Sequence, residues 1–234
     1  MSHYTVAVIV PKEVEKEDII EYINEVMEPF DENMEVEPYI GCTVEEMKQR
    51  YTSYCDRMKE QGKSEEIETF EEYSRDYCGH GNDEEGNALS TYNPNSKWDW
   101  YEIGGRWSGI IETKQSKSVN YARIKDIVFT KELNDLELQK AKKEYEKLIK
   151  EGDMYVPEYY QKRFPTLESY LKSYDFSTYA LLDTSGKWHE PGKMGWFGMS
   201  SSSPEEKKDF DETYMDIINA QDENSWLVVV DCHI

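Results

Sequence analysis

No stretch of this sequence approaches the ~20 consecutive apolar residues that a membrane-spanning helix needs, so a bilayer protein is not expected. Basic residues are in short supply. Twenty-seven Lys and Arg face 49 Asp and Glu, a formal net charge of −22, which repels nucleic acid backbones and anionic membranes and excludes a general DNA or RNA binder. The four cysteines, Cys42, Cys55, Cys78 and Cys232, show no paired spacing, and 234 residues build a core without disulfide staples. They are expected as reduced thiols. Histidine numbers only four. Cys78 with His80 and Cys232 with His233 give C-x-H and C-H, neither of them a specific ligand spacing, so no metal is expected, and His3 carries no reading. A basic segment ahead of the first apolar run is missing too, and that run stops at Pro11, which makes a signal peptide unlike this start and predicts a cytoplasmic product. The P-loop, G-x-G-x-x-G, H-E-x-x-H, G-x-S-x-G and calcium-loop patterns are all missing, so no cofactor is expected and no catalytic residue can be assigned.

Aromatic residues are plentiful, at 13% of the chain, and their spacing organises the rest. Tyr4 to Val10 is a continuous β-branched run and predicts a buried central strand. Asp18 to Met27 has helical spacing closed by Pro29, and Met34 to Ile40 returns as a strand. If those two strands are neighbours, the opening is a ferredoxin-like β-α-β unit. Thr43 to Tyr77 predicts two acidic helices broken at Gly62, and Gly79 to Asn87 a polar loop. Trp98 to Ile111 suggests two short strands about Gly104 and Gly105, and Tyr121 to Phe129 another, all in the sheet. Lys131 to Lys150 is an amphipathic helix closed by Gly152, and Ser203, Pro204, Glu205 and Glu206 open a helix running towards Ala220. Thr178 to Leu182 and Trp226 to Val230 complete the strands. No repeat, low-complexity tract or linker forces a boundary, so the expectation is one α+β domain over residues 1–234. A central mixed or antiparallel sheet is covered by helices, with a helical acidic insertion at about 43–78 and the first and last strands paired.

Two segments carry the densest chemistry. Asn93 to Gly109 holds Trp98, Trp100 and Trp107 with Arg106 and a glycine pair. A planar guanidinium beside aromatic walls suits a carboxylate, a phosphate or a nucleobase edge. The alternative is a tight hairpin whose tryptophans are core and whose Arg106 pairs with Asp99 or Glu102. Lys187 to Met199 repeats the style with Trp188, His189, Glu190, Lys193 and Trp196. His189 and Glu190 offer a base and a carboxylate, but neighbours on a strand point to opposite faces unless Pro191 bends the chain. The same geometry separates Cys232 from His233, so a dyad would have to pair Cys232 with His189, or Asp231 with His233, across elements.

The segments WDWYEIGGRW (Trp98 to Trp107), WHEPGKMGWFG (Trp188 to Gly198) and VDCHI (Val230 to Ile234), with YTVAVIVP and MEPFDENMEVEPY near the start, resemble those of an uncharacterised family of tailed-phage proteins. That resemblance implies a phage product made in the bacterial cytoplasm, outside the virion and replication machinery, of the kind that redirects or disarms host systems. It carries no activity and no catalytic assignment. Three functions follow as expectations. The first is a counter-defence accessory protein that binds a small anionic or nucleotide-like ligand among Trp98, Trp100, Arg106, Trp107, Trp188, His189, Glu190, Lys193 and Trp196. The second is an acidic inhibitor that mimics nucleic acid in the groove of a host enzyme, making a host protein the partner. The third is a small-substrate hydrolase using His189 with Glu190, or Cys232 with His233.

Overall fold

The strand-like runs at the two ends of the sequence find each other. In the computed structural model, which describes residues 2–77, 81–195 and 199–234, β1 (His3–Val10) leads into α1 (Ile19–Met27). There follow β2 (Tyr39–Cys42), α2 (Val44–Glu60), α3 (Phe70–Tyr77) and β3 (Ala88–Ser90). Next come β4 (Trp100–Ile103), β5 (Ile111–Glu112), β6 (Ser118–Val119), β7 (Tyr121–Arg123), α4 (Asp135–Glu151), α5 (Pro157–Arg163) and α6 (Leu167–Leu171). The chain finishes with β8 (Ala180–Leu182), β9 (Trp188–His189), α7 (Pro204–Asn219) and β10 (Trp226–His233). The protein is α+β, and its main sheet is mixed, in the order β4-β10-β1-β8-β9 with β7 also on β10.

β10 lies antiparallel to β1 along its whole length, from His3 opposite His233 to Val10 opposite Trp226. β8 lies parallel to β1 on its other side. Both faces of this pair are covered, which is why the two strands read as unbroken apolar runs rather than alternating ones. Tyr4, Val6, Val8 and Val10 meet Val228, Val230 and Cys232 under Ile19, Ile23 and Met27 of α1. Ala7 and Ile9 meet Leu227, Val229 and Leu181 under Tyr214 and Ile218 of α7. Burial of this kind is worth about 25 cal/mol per Å² of apolar surface, so the β1–β10 pair is the energetic centre of the fold.

The contacts divide the chain into two compact units, residues 1–31 with 97–234, and residues 32–96. The second unit is wider than the 43–78 insertion read from the sequence, because β2 and β3 pair with each other and close it. Its core is small: Cys42, Met47 and Ala88, with Val44 and Phe70 against them. Thr43 and Glu46 form a reciprocal cap at the start of α2.

Three expectations about the strands are corrected. The segment after α1 does not pair with β1, since β8 and β10 already occupy both edges of that strand, and β2 pairs with β3 in a sheet of its own. Gly104 and Gly105 do not turn a hairpin. Their φ values of +77° and +46° start a 3-10 turn over Gly105–Trp107 that sends β5 away to pair with β6. The strand expected from Tyr121 to Phe129 stops at Arg123, where the 3-10 turn Ile124–Asp126 begins. Among the described residues no helix is long and apolar enough to cross a membrane.

Candidate functional site

The register of β1, β10 and β4 places two short cross-strand rows of mostly polar side chains on one face, because residues facing each other across neighbouring strands point the same way. His3 lies opposite His233 and His233 opposite Trp100, while Thr5 lies opposite Asp231 and Asp231 opposite Glu102. This is the face that further along buries Ala7, Ile9, Leu227 and Val229. The apolar alternation therefore gives way, at one end of the sheet, to ionisable groups, of which His3, Asp231 and His233 keep buried side chains.

Two histidine–carboxylate pairs result. His3 Nδ1 is 2.8 Å from Asp231 Oδ1, and Asp231 Oδ2 accepts the Arg106 backbone N–H at 2.9 Å. His233 Nδ1 is 2.5 Å from Asp99 Oδ1. The two imidazole centroids are 4.9 Å apart. Trp100 stacks on His233 at 5.2 Å and meets the edge of His3 at 5.3 Å. Asp231 is 1% exposed and His233 6%, whereas Trp100 keeps 44% of its surface in solvent. A carboxylate this deep persists because its hydrogen bonds replace the water it has lost. His233 Nε2 has no such replacement: it is buried without a hydrogen-bond partner.

The glycine pair makes this packing possible. A Cβ on Gly105 would collide with the Asp231 carboxylate and one on Gly104 with the Asn120 side chain, while Gly104 N–H donates to Val229 O at 2.8 Å. The segments IGGRW and VDCHI are thus docked on each other by backbone contacts only glycine allows.

The residues picked out in the sequence are dispersed. Trp98 is buried in the core under α1, edge-on to Tyr101. Trp107 packs on the opposite core, under α7. Trp188 returns to the first core, 4.8 Å from Phe30, and its Nε1–H donates to Glu190 Oε2 at 2.9 Å. His189 points to the other face of β9, its Nε2 2.7 Å from Asp183 Oδ2. Glu190 accepts from Lys97 Nζ at 2.6 Å. Arg106 and Lys193 are exposed, and Asp99, one of the acids expected to hold Arg106, holds His233 instead. Trp196, Cys78 and His80 lie outside the described residues. The described tryptophans of the two segments therefore sit on both faces of the sheet rather than around one hollow. Of the expected set, Trp100 contacts the histidine cluster through its ring and Arg106 reaches it through its backbone.

Cys232 does not share a sheet face with the pair of histidines. Its side chain turns into the core under α1, where burial first, and then the nearby Asp231 charge, push the thiol well above the usual cysteine range. Asp231 and His233, paired as alternatives in the sequence, each take a different partner. His3 and Asp99 do not stand out as site residues in the sequence. The signal was the period of two in Asp231–His233 and in His3–Thr5, which marks polar residues sharing one strand face.

Surface hollows lie away from this cluster. One of about 690 Å³ runs between Phe164, Lys172, Phe176, Asp211 and Tyr214, and one of about 440 Å³ between Lys16, Asn120, Tyr121 and Trp226. No protein-family model, curated protein or solved structure matches the chain, so the site is read from its own geometry.

Proposed function

We propose that the protein is a phage accessory factor of the bacterial cytoplasm that counters a host defence by binding a small, anionic, nucleotide-like ligand where His3, Trp100 and His233 meet. One observation carries this reading: a buried His233 Nε2 without a partner beneath a tryptophan that is half in solvent. A nitrogen left unpaired in the interior costs about 1–3 kcal/mol, and a ligand oxygen would relieve that cost. The exposed indole supplies a face for a base or another flat ring. With Nδ1 of each imidazole held by a carboxylate, the Nε2 atoms are the groups that would meet a ligand oxygen. The phage setting comes from the resemblance of the segments at 98–107, 188–198 and 230–234, and the first and last of these meet at this site.

Native mass spectrometry of the protein purified from phage-infected bacteria tests the reading. The expected result is a co-purifying small molecule whose occupancy falls at least tenfold in Trp100→Ala, since stacking on an aromatic face is worth about 1–3 kcal/mol per base. A spectrum of bare protein from infected cells overturns it.

A further inference from the structure

A histidine that moves protons needs one ring nitrogen held and the other at work. His3 and His233 are both held through Nδ1, by Asp231 at 2.8 Å and Asp99 at 2.5 Å, which leaves Nε2 as the working atom of each. Asp231 is itself fixed by the Arg106 backbone N–H, so the first ring is held by a carboxylate that is anchored in turn. One such pair would be explained by its contribution to the fold. Here there are two, directly opposed in the sheet with ring centroids 4.9 Å apart. The unpartnered Nε2 of His233 is a group whose hydrogen-bonding capacity the fold leaves unused.

The surroundings restrict the chemistry. Cys232 turns to the opposite core, and the Thr5 hydroxyl accepts the Tyr179 N–H at 3.0 Å, so neither is placed as a nucleophile. Attack must come from the substrate or from water. Ribonucleotides bring their own hydroxyl beside the phosphorus. The net charge of −22 opposes long polyanions and restricts the substrate to a short one.

We infer that His3 and His233 act as an acid–base pair that cleaves a short ribonucleotide 3′,5′-phosphodiester by internal transesterification, an inference that rests on the nucleotide-like ligand proposed for this site. One imidazole, neutral, takes the proton of the 2′-hydroxyl as the bond from O2′ to phosphorus forms. The other, protonated, gives its proton to the departing 5′-oxygen as the bond from phosphorus to O5′ breaks. The products are a 2′,3′-cyclic phosphate and a 5′-hydroxyl, and proton exchange with water resets the pair. Trp100 stacks on His233, and substrate would reach the buried Nε2 by displacing that ring. At the first residue of the edge strand β4 its ring is then free to stack on a base.

The experiment uses the full chain with adenylyl-(3′→5′)-adenosine and its 2′-deoxy counterpart, with calorimetry for binding and chromatography for products. Expected are cleavage of the ribonucleotide alone and binding of both compounds. The rate should fall at least 100-fold in His3→Gln and in His233→Gln, consistent with the ~10²–10⁴-fold contribution of a positioned acid or base. Glutamine retains hydrogen-bonding capacity, and circular dichroism checks that each variant is folded. Calorimetry with the deoxy compound on each variant separates lost binding from lost chemistry. Asp99→Asn, a positioning change, should lower the rate and distort the pH profile while binding persists. If both compounds bind and neither is cleaved, or if the glutamine variants cleave as fast as the parent, the acid–base pair is overturned while the binding reading survives. If neither compound binds, the nucleotide-like ligand falls with it.

Discussion

Gly105 and Asp231 compete for the same volume, 126 positions apart in the sequence (231 minus 105). Gly105 has φ +46° and no room for a Cβ, whereas Gly186, with φ +79°, has nothing within 4 Å of the same position. Gly105→Ala therefore combines backbone strain with displacement of the carboxylate that holds His3. It should cost ~1–3 kcal/mol more than Gly186→Ala in urea unfolding, the range for a strained backbone or a lost buried hydrogen bond; equal costs would show that Asp231 yields freely. At this scale the sequence was only partly legible. A glycine pair announces an unusual backbone, but nothing near His3 announces Asp231, because the partner lies 228 residues away. Arg106 was chosen for its guanidinium, and it is the amide of that residue that matters to the cluster.

The β8–β9 hairpin shows how a whole element can depend on one carboxylate. Asp183 accepts the backbone N–H groups of Ser185 at 2.8 Å and Lys187 at 3.2 Å, and lies 2.7 Å from His189 Nε2. Burial alone would raise its carboxyl, but hydrogen bonds, first from the Ser185 side chain and then from His189 and the turn backbone, outweigh burial and hold it below the usual aspartate range. A carboxyl lowered on folding stabilises the native state above its unfolded pKa of ~3.9, and that contribution is lost as pH falls through the folded value. Asp183→Asn should therefore lower the urea midpoint at pH 7, and the gap from the parent should close as the pH drops below ~4. A gap that widens in acid contradicts the assignment.

Elements with local signals were the legible ones. Ser203 with Glu206 and Asn134 with Glu137 form the reciprocal caps of α7 and α4, and Gly152 closes α4 with φ +75°. The unbroken apolar runs of β1 and β10 could be read because both faces are covered. Strand partners carry no comparable local mark. Residues 34–40 look like a strand following a helix, and only the occupation of both edges of β1 shows why that segment does not join it.

Across the whole molecule, the unit formed by residues 32–96 is inserted between neighbouring points of the other. Phe30 O accepts from both Lys97 N at 2.8 Å and Trp98 N at 3.3 Å, so the chain leaves and returns at one place. Replacing residues 32–96 with a short Gly-Ser linker should leave the main sheet folded, since closing a short loop costs little entropy. Near-UV circular dichroism and a single cooperative urea transition would check this; loss of the aromatic signal would show that the sheet depends on the insertion. The α+β class was readable from composition and periodicity, whereas the histidine cluster exists only once the strands from both ends are zipped together.

That zipper also sets an order of events during synthesis. The β1 strand is made well before either of its sheet partners, β8 (Ala180–Leu182) and β10 (Trp226–His233). A nascent chain must carry a strongly apolar strand with both edges unpaired until those segments follow, so folding is governed by loop closure over long separations and β1 is the natural binding point for a chaperone.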